Sequence, residues 1–201
     1  MRSSSDSVLR RQVIESYVAY DALKKGKPIP GMDDWPWHDP NGLDQHLRDL
    51  GFKAGILSGY VEWWEVALTI EDLRCCAVVT AICPRDAHGV AVRDLGSIER
   101  MGCANLPQCQ TTWSGHLAAG GCLSRDEPMI LRRAVGSERP AGWYIEDGSG
   151  RAMALVACAG LHPPDEIVAY GYLADVSDPP SRFMQDKFPE LLNAASDPRG
   201  I

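Results

Sequence analysis

The spacing of apolar residues in the first quarter of the chain predicts a layer of two helices. Apolar side chains recur every three or four positions between Asp6 and Lys25, so we expect a helix over this range with Asp6 as its cap. The segment 27–40 carries four prolines and predicts a rigid loop. Three leucines then share one face of a short helix that ends at Gly51. Residues 1–55 are therefore expected to form an N-terminal helical layer.

Beyond this layer, the pattern alternates between apolar runs typical of strands and stretches typical of helices. Thr69 and Asp72 match a capping box, with Asp in place of the usual Glu or Gln, and predict a turn of helix. The alternation predicts a single α+β domain over residues 1–201, with a small mixed sheet in a core at 60–175. The predicted strands cover residues 60–68, 77–82, 129–135, 143–146 and 167–172, and the predicted helices cover residues 151–159 and 181–195.

Composition and charge exclude several classes of protein. Hydrophobic residues make up 45% of the chain and charged residues 23%, which excludes a disordered or fibrous protein. The net charge of −7 argues against wrapping nucleic acid by charge alone and against polybasic binding to a membrane surface. The polar start and the absence of an apolar run of about 18 residues predict a cytoplasmic protein without a secretory signal or membrane span.

The segment 143–159, WYIEDGSGRAMALVACA, carries the strongest chemical signal in the chain. A predicted strand runs into a glycine-containing turn, and a helix of small residues follows directly. Such a helix start leaves backbone N–H groups unpaired, and together with the helix dipole they form an anion site suited to phosphate. Gly148 and Gly150 allow a ligand to approach the backbone, and Arg151 adds a planar fork of donors.

This segment resembles the ParB/sulfiredoxin superfamily. Its members share a strand, a Gly-x-x-Arg turn at a helix N-terminus and a small residue three positions later, a pattern that Gly148, Arg151 and Ala154 match. The strand expected at 129–135 is similar to the hydrophobic strand that the family places just upstream. The resemblance covers roughly residues 97–175.

The resemblance implies a nucleotide-binding protein that uses ATP or CTP with Mg²⁺. Its activity would be phosphoryl transfer of the kinase type or hydrolysis of a nucleoside triphosphate. The turn 148–151 would hold the phosphates. Glu146 or Asp147 would bind magnesium or activate an acceptor hydroxyl, with Arg151 as the third catalytic residue.

Two positions depart from the family pattern, and one alternative stays open. Ser149 stands where sulfiredoxins carry their catalytic cysteine, which argues against sulfinic-acid repair. Gly150 stands where the family usually has His or Arg before the motif arginine. The alternative is an ordinary turn in which Asp147 caps the helix and no ligand binds.

The cysteines offer a zinc site only at unusual spacing. The seven cysteines are expected to be mostly free thiols in a reducing cytosol, with Cys158 in the core. Structural zinc sites usually pair ligands two to four residues apart, and the gaps here are wider. We therefore expect less than one zinc per chain. The candidate ligands are Cys103, Cys109, His116 and Cys122.

Two rival functions follow from other features. The acidic chain carries tryptophan pairs at 35/37 and 63/64, which suit a non-enzymatic phage or mobile-element protein that contacts a protein or DNA partner. The family resemblance also suggests a DNA-acting enzyme, a nuclease or a base modifier, although five arginines near the turn are balanced by five acids. One member of the pair Trp63/Trp64 must face away from the buried side of its strand, and we expect an N-terminal helix to cover it.

Overall fold

A computed structural model describes residues 2–31, 33, 39–49, 62–79, 89–94, 121–134 and 138–175. None of the helices in these ranges is long and apolar enough to cross a membrane. The predicted C-terminal helix at 181–195 lies outside the described residues. The strands are β1 Arg2–Val8, β2 Glu62–Leu68, β3 Ala77–Val78, β4 Met129–Arg133, β5 Trp143–Asp147 and β6 Ala169–Asp175, and the helices are α1 Arg10–Lys24, α2 Pro40–Asp49, α3 Ile70–Cys75 and α4 Ser149–Ala157.

One six-stranded mixed sheet, with strand order β1-β2-β6-β4-β5-β3, organises the described residues. β4 runs parallel to β6 and β3 runs parallel to β5, whereas the other neighbours are antiparallel. The coarse prediction of a mixed α and β fold is confirmed. The three strands predicted around the glycine turn occupy adjacent positions as β6, β4 and β5, so their expected membership of one sheet is also confirmed.

The prediction for the N-terminus is wrong in one respect. Residues Arg2–Val8 form a strand, and α1 begins only at Arg10 with Leu9 as its N-cap residue. Asp6 therefore lies in β1 and does not cap the helix. β1 pairs antiparallel with β2, aligning Val8 with Trp63. That pairing joins segments more than fifty residues apart, and it supplies the hydrogen bonds that favour a strand over a longer helix.

Helices cover the two faces of the sheet and bury separate apolar clusters. On one face, α3 and α4 pack with residues of the central strands, including Leu73, Leu155 and Ile145. On the other face, Trp63 packs with residues of α1 and α2 and is fully buried. The expectation that an N-terminal helix covers one tryptophan of the pair is confirmed, and Trp64 is half-buried.

Two predictions that rest on short stretches of sequence are confirmed. The Thr69 hydroxyl accepts a hydrogen bond from the Asp72 N–H at 3.3 Å, and the Asp72 carboxylate accepts one from the Thr69 N–H at 3.0 Å, so the capping box is confirmed. The helix of small residues, α4, packs on the sheet through the buried Ala152, Ala154 and Leu155, and Cys158 just after it packs against the same cluster.

A buried arginine with two glutamates joins β4, β5 and the segment between them. Arg132 Nε donates to Glu146 Oε1 at 2.5 Å, and the terminal nitrogens of Arg132 donate to both carboxylate oxygens of Glu138 at 2.5 and 2.7 Å. All three side chains are 0% exposed. The guanidinium also lies over the ring of Tyr144, 4.9 Å from its centroid. Charges this deeply buried persist only when they are paired and hydrogen-bonded.

We predict that Arg132→Met lowers the free energy of unfolding by about 3–5 kcal/mol at neutral pH, because it leaves two buried carboxylates without their cation. Urea denaturation measures the loss. Arg133→Met, which changes the exposed neighbouring arginine, is the matched control and should cost far less; equal losses in the two variants would contradict the prediction.

The buried thiol of Cys76 makes the stability of the fold fall at alkaline pH. Burial raises the pKa of this thiol from 9.0 to about 12, with smaller contributions from Asp72 and Cys75. The folded state therefore keeps a proton that the unfolded chain loses between these pH values, so this stabilisation is complete below pH 9 and disappears as the pH rises toward 12.

We therefore expect the stability of the wild type to fall faster above pH 9 than that of Cys76→Ala, by up to about 1.4 kcal/mol per pH unit. Denaturation curves at pH 8 and pH 10 give the difference. The pKa of Tyr144 is also raised to about 12, and this contribution is common to both proteins. If the free energies of unfolding of the wild type and Cys76→Ala change with pH in parallel, the prediction for Cys76 is wrong.

Candidate functional site

The turn between β5 and α4 depends on a glycine in a left-handed conformation. β5 ends at Asp147, Gly148 has a φ of 101°, and α4 begins at Ser149. A Cβ on Gly148 would lie 2.9 Å from Met129 Cγ and 3.1 Å from the Arg151 side chain. Both the backbone conformation and the lack of space therefore require glycine at this position.

The start of α4 has no side-chain cap. Gly148 is the N-cap residue, and its carbonyl accepts from the Ala152 N–H at 2.9 Å. Asp147 is the last residue of the strand and does not cap the helix, so the cap named in the alternative is wrong, whereas the alternative of an ordinary turn without a ligand stays open. The first turn contains no acidic residue. The positive end of the helix dipole is thus not offset by a side chain of the helix itself, an arrangement that favours an anion.

Arg151 is held by the protein interior and is 3% exposed. Its guanidinium donates to the carbonyl oxygens of Glu127 and Pro128 and, at 3.1 Å, to Asp147 Oδ2. It also lies over the ring of Tyr20, 4.4 Å from the centroid. The arginine therefore joins the start of α4 to the segment before β4 and to α1. A phosphate could bind this guanidinium only by replacing these partners.

The predicted catalytic residues divide into two groups. Asp147 lies with Arg151 at the turn, and its side chain is 13% exposed. Glu146 belongs instead to the buried cluster with Arg132 and has no exposed side-chain surface. The pairing of β4 with β5 is irregular at this point, because Asp147 aligns with Ile130 whereas Ile145 aligns with Leu131, and such an irregularity changes the direction of side chains. The roles predicted for Glu146, Asp147 and Arg151 remain predictions, and Asp147 is the more exposed of the two carboxylates.

Two tyrosines of α1 border the turn, a contact that sequence reasoning missed. Burial raises the pKa values of Tyr17 and Tyr20, the nearby carboxylate of Asp147 raises them further, and Arg151 opposes the shift. Helical periodicity assigned both tyrosines to a core face, and nothing in that pattern indicated a turn about 130 residues away. The ring of Tyr20 contacts Arg151 on the side of the N-terminal helices.

Other candidate residues are only partly described. Cys103, Cys109 and His116 of the zinc candidates lie outside the described residues, as do Trp35 and Trp37. Among the five arginines near the turn, Arg132 and Arg151 are buried and cannot contribute to a surface patch. This weakens the case for a DNA-binding face.

Cys122, the remaining zinc candidate, lies beside His162 and Glu166. These three form the one group of metal-ligating side chains in the described ranges. Burial, followed by the Glu166 carboxylate, raises the pKa of the Cys122 thiol. No spacing rule linked Cys122 to residues forty positions further along the chain.

Comparisons of the chain with protein-family models, with curated proteins and with solved structures found no match. The resemblance to the ParB/sulfiredoxin superfamily therefore rests on the sequence of the turn and of the segment before it, and it stays an expectation. A nucleotide site at this turn stays a prediction.

Proposed function

We propose that this protein binds a nucleoside triphosphate, ATP or CTP with Mg²⁺, with the phosphates at the N-terminus of α4. The observation that carries the proposal is the start of this helix, which has a glycine N-cap, no side-chain cap and no acidic residue in its first turn. A phosphate there would accept from backbone N–H groups at the positive end of the dipole.

We infer different roles for the residues of the turn. The N–H groups of Ser149 and Gly150 would contact the phosphate oxygens, because they belong to the first turn of α4. Arg151 would act as a positioning residue, since its donors hold the turn in place. Asp147 would ligate Mg²⁺ or accept the proton of an acceptor hydroxyl, and Glu146 would hold β5 in the sheet.

Such a site supports phosphoryl transfer or hydrolysis of the terminal phosphate. Both reactions depend on positioning and on stabilising charge, which backbone donors and a magnesium ion supply. A non-enzymatic binding protein is the second candidate, favoured by the engagement of Arg151 in structural hydrogen bonds. Turnover of the nucleotide distinguishes the two functions.

We predict that Mg²⁺ with ATP or CTP raises the melting temperature of the wild type, because a ligand at 100 times its Kd adds about 2.7 kcal/mol of stability. Gly150→Asp should abolish this shift, since it places a carboxylate in the first turn of α4. The same carboxylate interacts favourably with the helix dipole, so the variant should fold normally without nucleotide.

Gly150→Asn is the matched control: it has nearly the same size and no charge, and it should retain most of the shift. Thermal denaturation with ATP, CTP and GTP, each with and without Mg²⁺, supplies the measurement. The proposal fails if no nucleotide stabilises the wild type, or if Gly150→Asp is stabilised as strongly as Gly150→Asn.

A separate prediction concerns Arg151. Arg151→Ala should lower the free energy of unfolding by about 3 kcal/mol or more without any ligand, because two backbone carbonyls and Asp147 lose their donor and each such group costs about 1–3 kcal/mol. Asp147→Asn should cost less, since the amide oxygen still accepts from the guanidinium. Chemical denaturation measures both variants, and an Arg151→Ala protein as stable as the wild type would show that these contacts do not hold the turn.

A further inference from the structure

Three side chains with metal-ligating atoms meet where the chain enters β6. His162 Nδ1 lies 2.9 Å from Glu166 Oε2, and Cys122 Sγ lies 3.9 Å from Glu166 Oε1. One ligating atom from each of the three residues lies within 4.8 Å of the other two. The carboxylate thus lies between the thiol and the imidazole, with one oxygen toward each.

Backbone contacts bring these residues together from distant parts of the chain. The Leu123 N–H donates to the Val168 carbonyl at 2.8 Å, and both side chains are buried in the core. This contact places Cys122 beside the segment before β6. In that segment the Glu166 N–H donates to the Pro163 carbonyl at 3.1 Å, a turn that returns Glu166 toward His162.

The imidazole of His162 is held inside the protein. Its side chain is 1% exposed, and Nδ1 is the ring nitrogen that faces Glu166. Nδ1 is therefore the atom that would ligate a cation between the three side chains. A buried histidine with a thiol and a carboxylate beside it offers the donor types that a zinc-class ion prefers.

The same geometry argues against a nucleophilic cysteine. In a Cys–His–carboxylate arrangement, the imidazole stands between the thiol and the acid and removes the proton of the thiol. Here the carboxylate occupies the middle position. The Cys122 thiol therefore has a hydrogen-bond acceptor but no imidazole base.

We propose that Cys122, His162 and Glu166 bind a divalent cation of the zinc class, with one further coordination position open to solvent. Sulfur, nitrogen and oxygen donors together suit Zn²⁺ rather than Mg²⁺ or Ca²⁺. Ligands of a tetrahedral zinc ion lie about 3.3–3.6 Å apart. In the structure one ligating atom from each of the three residues lies within 4.8 Å of the other two, so small side-chain movements bring them to these separations.

Access to the site is available on the side of Glu166, whose side chain is 38% exposed. Binding exchanges the thiol proton for the metal ion and involves no change of oxidation state. This cation site is separate from the proposed Mg²⁺–nucleotide site. It also departs from the expectation of less than one zinc per chain, which considered only ligands between residues 103 and 122.

Titration of the metal-stripped full chain with Co²⁺ tests the proposal. We expect saturation at one equivalent, a near-ultraviolet band from charge transfer between thiolate and cobalt, and loss of the band when Zn²⁺ is added. Cys122→Ser, His162→Gln and Glu166→Gln should each weaken Zn²⁺ binding by at least about 100-fold, more than the loss of an outer-shell contact.

Cys75→Ser is the matched control, because Cys75 also lies 3.7 Å from a glutamate oxygen, that of Glu71, but is exposed. It should bind Zn²⁺ like the wild type. Full affinity in both His162→Gln and Glu166→Gln would overturn the proposal, even if Cys122→Ser were impaired. Should His162→Gln fail to fold, Glu166→Gln decides, because its partly exposed side chain can be changed without disturbing the core. Unchanged Zn²⁺ binding in Gly150→Asp separates this site from the nucleotide proposal.

Discussion

The buried pairing of Arg132 with Glu138 and Glu146 is the constraint on which the rest of the site depends. It joins β5 to β4, which lies between β5 and β6 in the sheet. Because β5 is held at Glu146, its last residue and the following turn are placed beside the segment that leads into β4. The carbonyls of that segment are the ones to which Arg151 donates. The pairing of Arg132 thus helps to position the carbonyl groups to which Arg151 donates.

Arg151 occupies the arginine position of the motif, but in this protein its side chain makes structural hydrogen bonds. Arg151 was expected to point a free fork of donors at a phosphate, and in the structure the fork binds two carbonyls and Asp147. The groups left to bind an anion are the backbone N–H groups in the first turn of α4. Their partial charges do not depend on which side chains the helix carries. The proposed phosphate site therefore depends on Gly148 as the residue that shapes the turn.

Local signals predicted most of the described fold, whereas long-range contacts were missed. The capping box at Thr69, the strands around the turn and the small-residue face of α4 are encoded within a few residues each. β1 was missed because its pairing with β2 spans some sixty residues, and its polar sequence carries no strand alternation. The burial of Arg151 under Tyr20 and the meeting of Cys122 with His162 depend on tertiary packing. No spacing rule reaches across such distances.

The two proposed sites lie at opposite ends of one helix. The anion site is at the N-terminus of α4, and His162 follows the 3₁₀ turn Ala159–Leu161 that continues from its C-terminus. Nine residues of α-helix separate these ends by roughly 13 Å. The dipole of α4 favours an anion at its first turn, but its effect falls off within one turn of each end and does not reach His162, five residues beyond Ala157. The packing of α4 on the sheet through Ala152, Ala154 and Leu155 therefore positions the anion site, whereas the cation site depends on the contact between Leu123 and Val168.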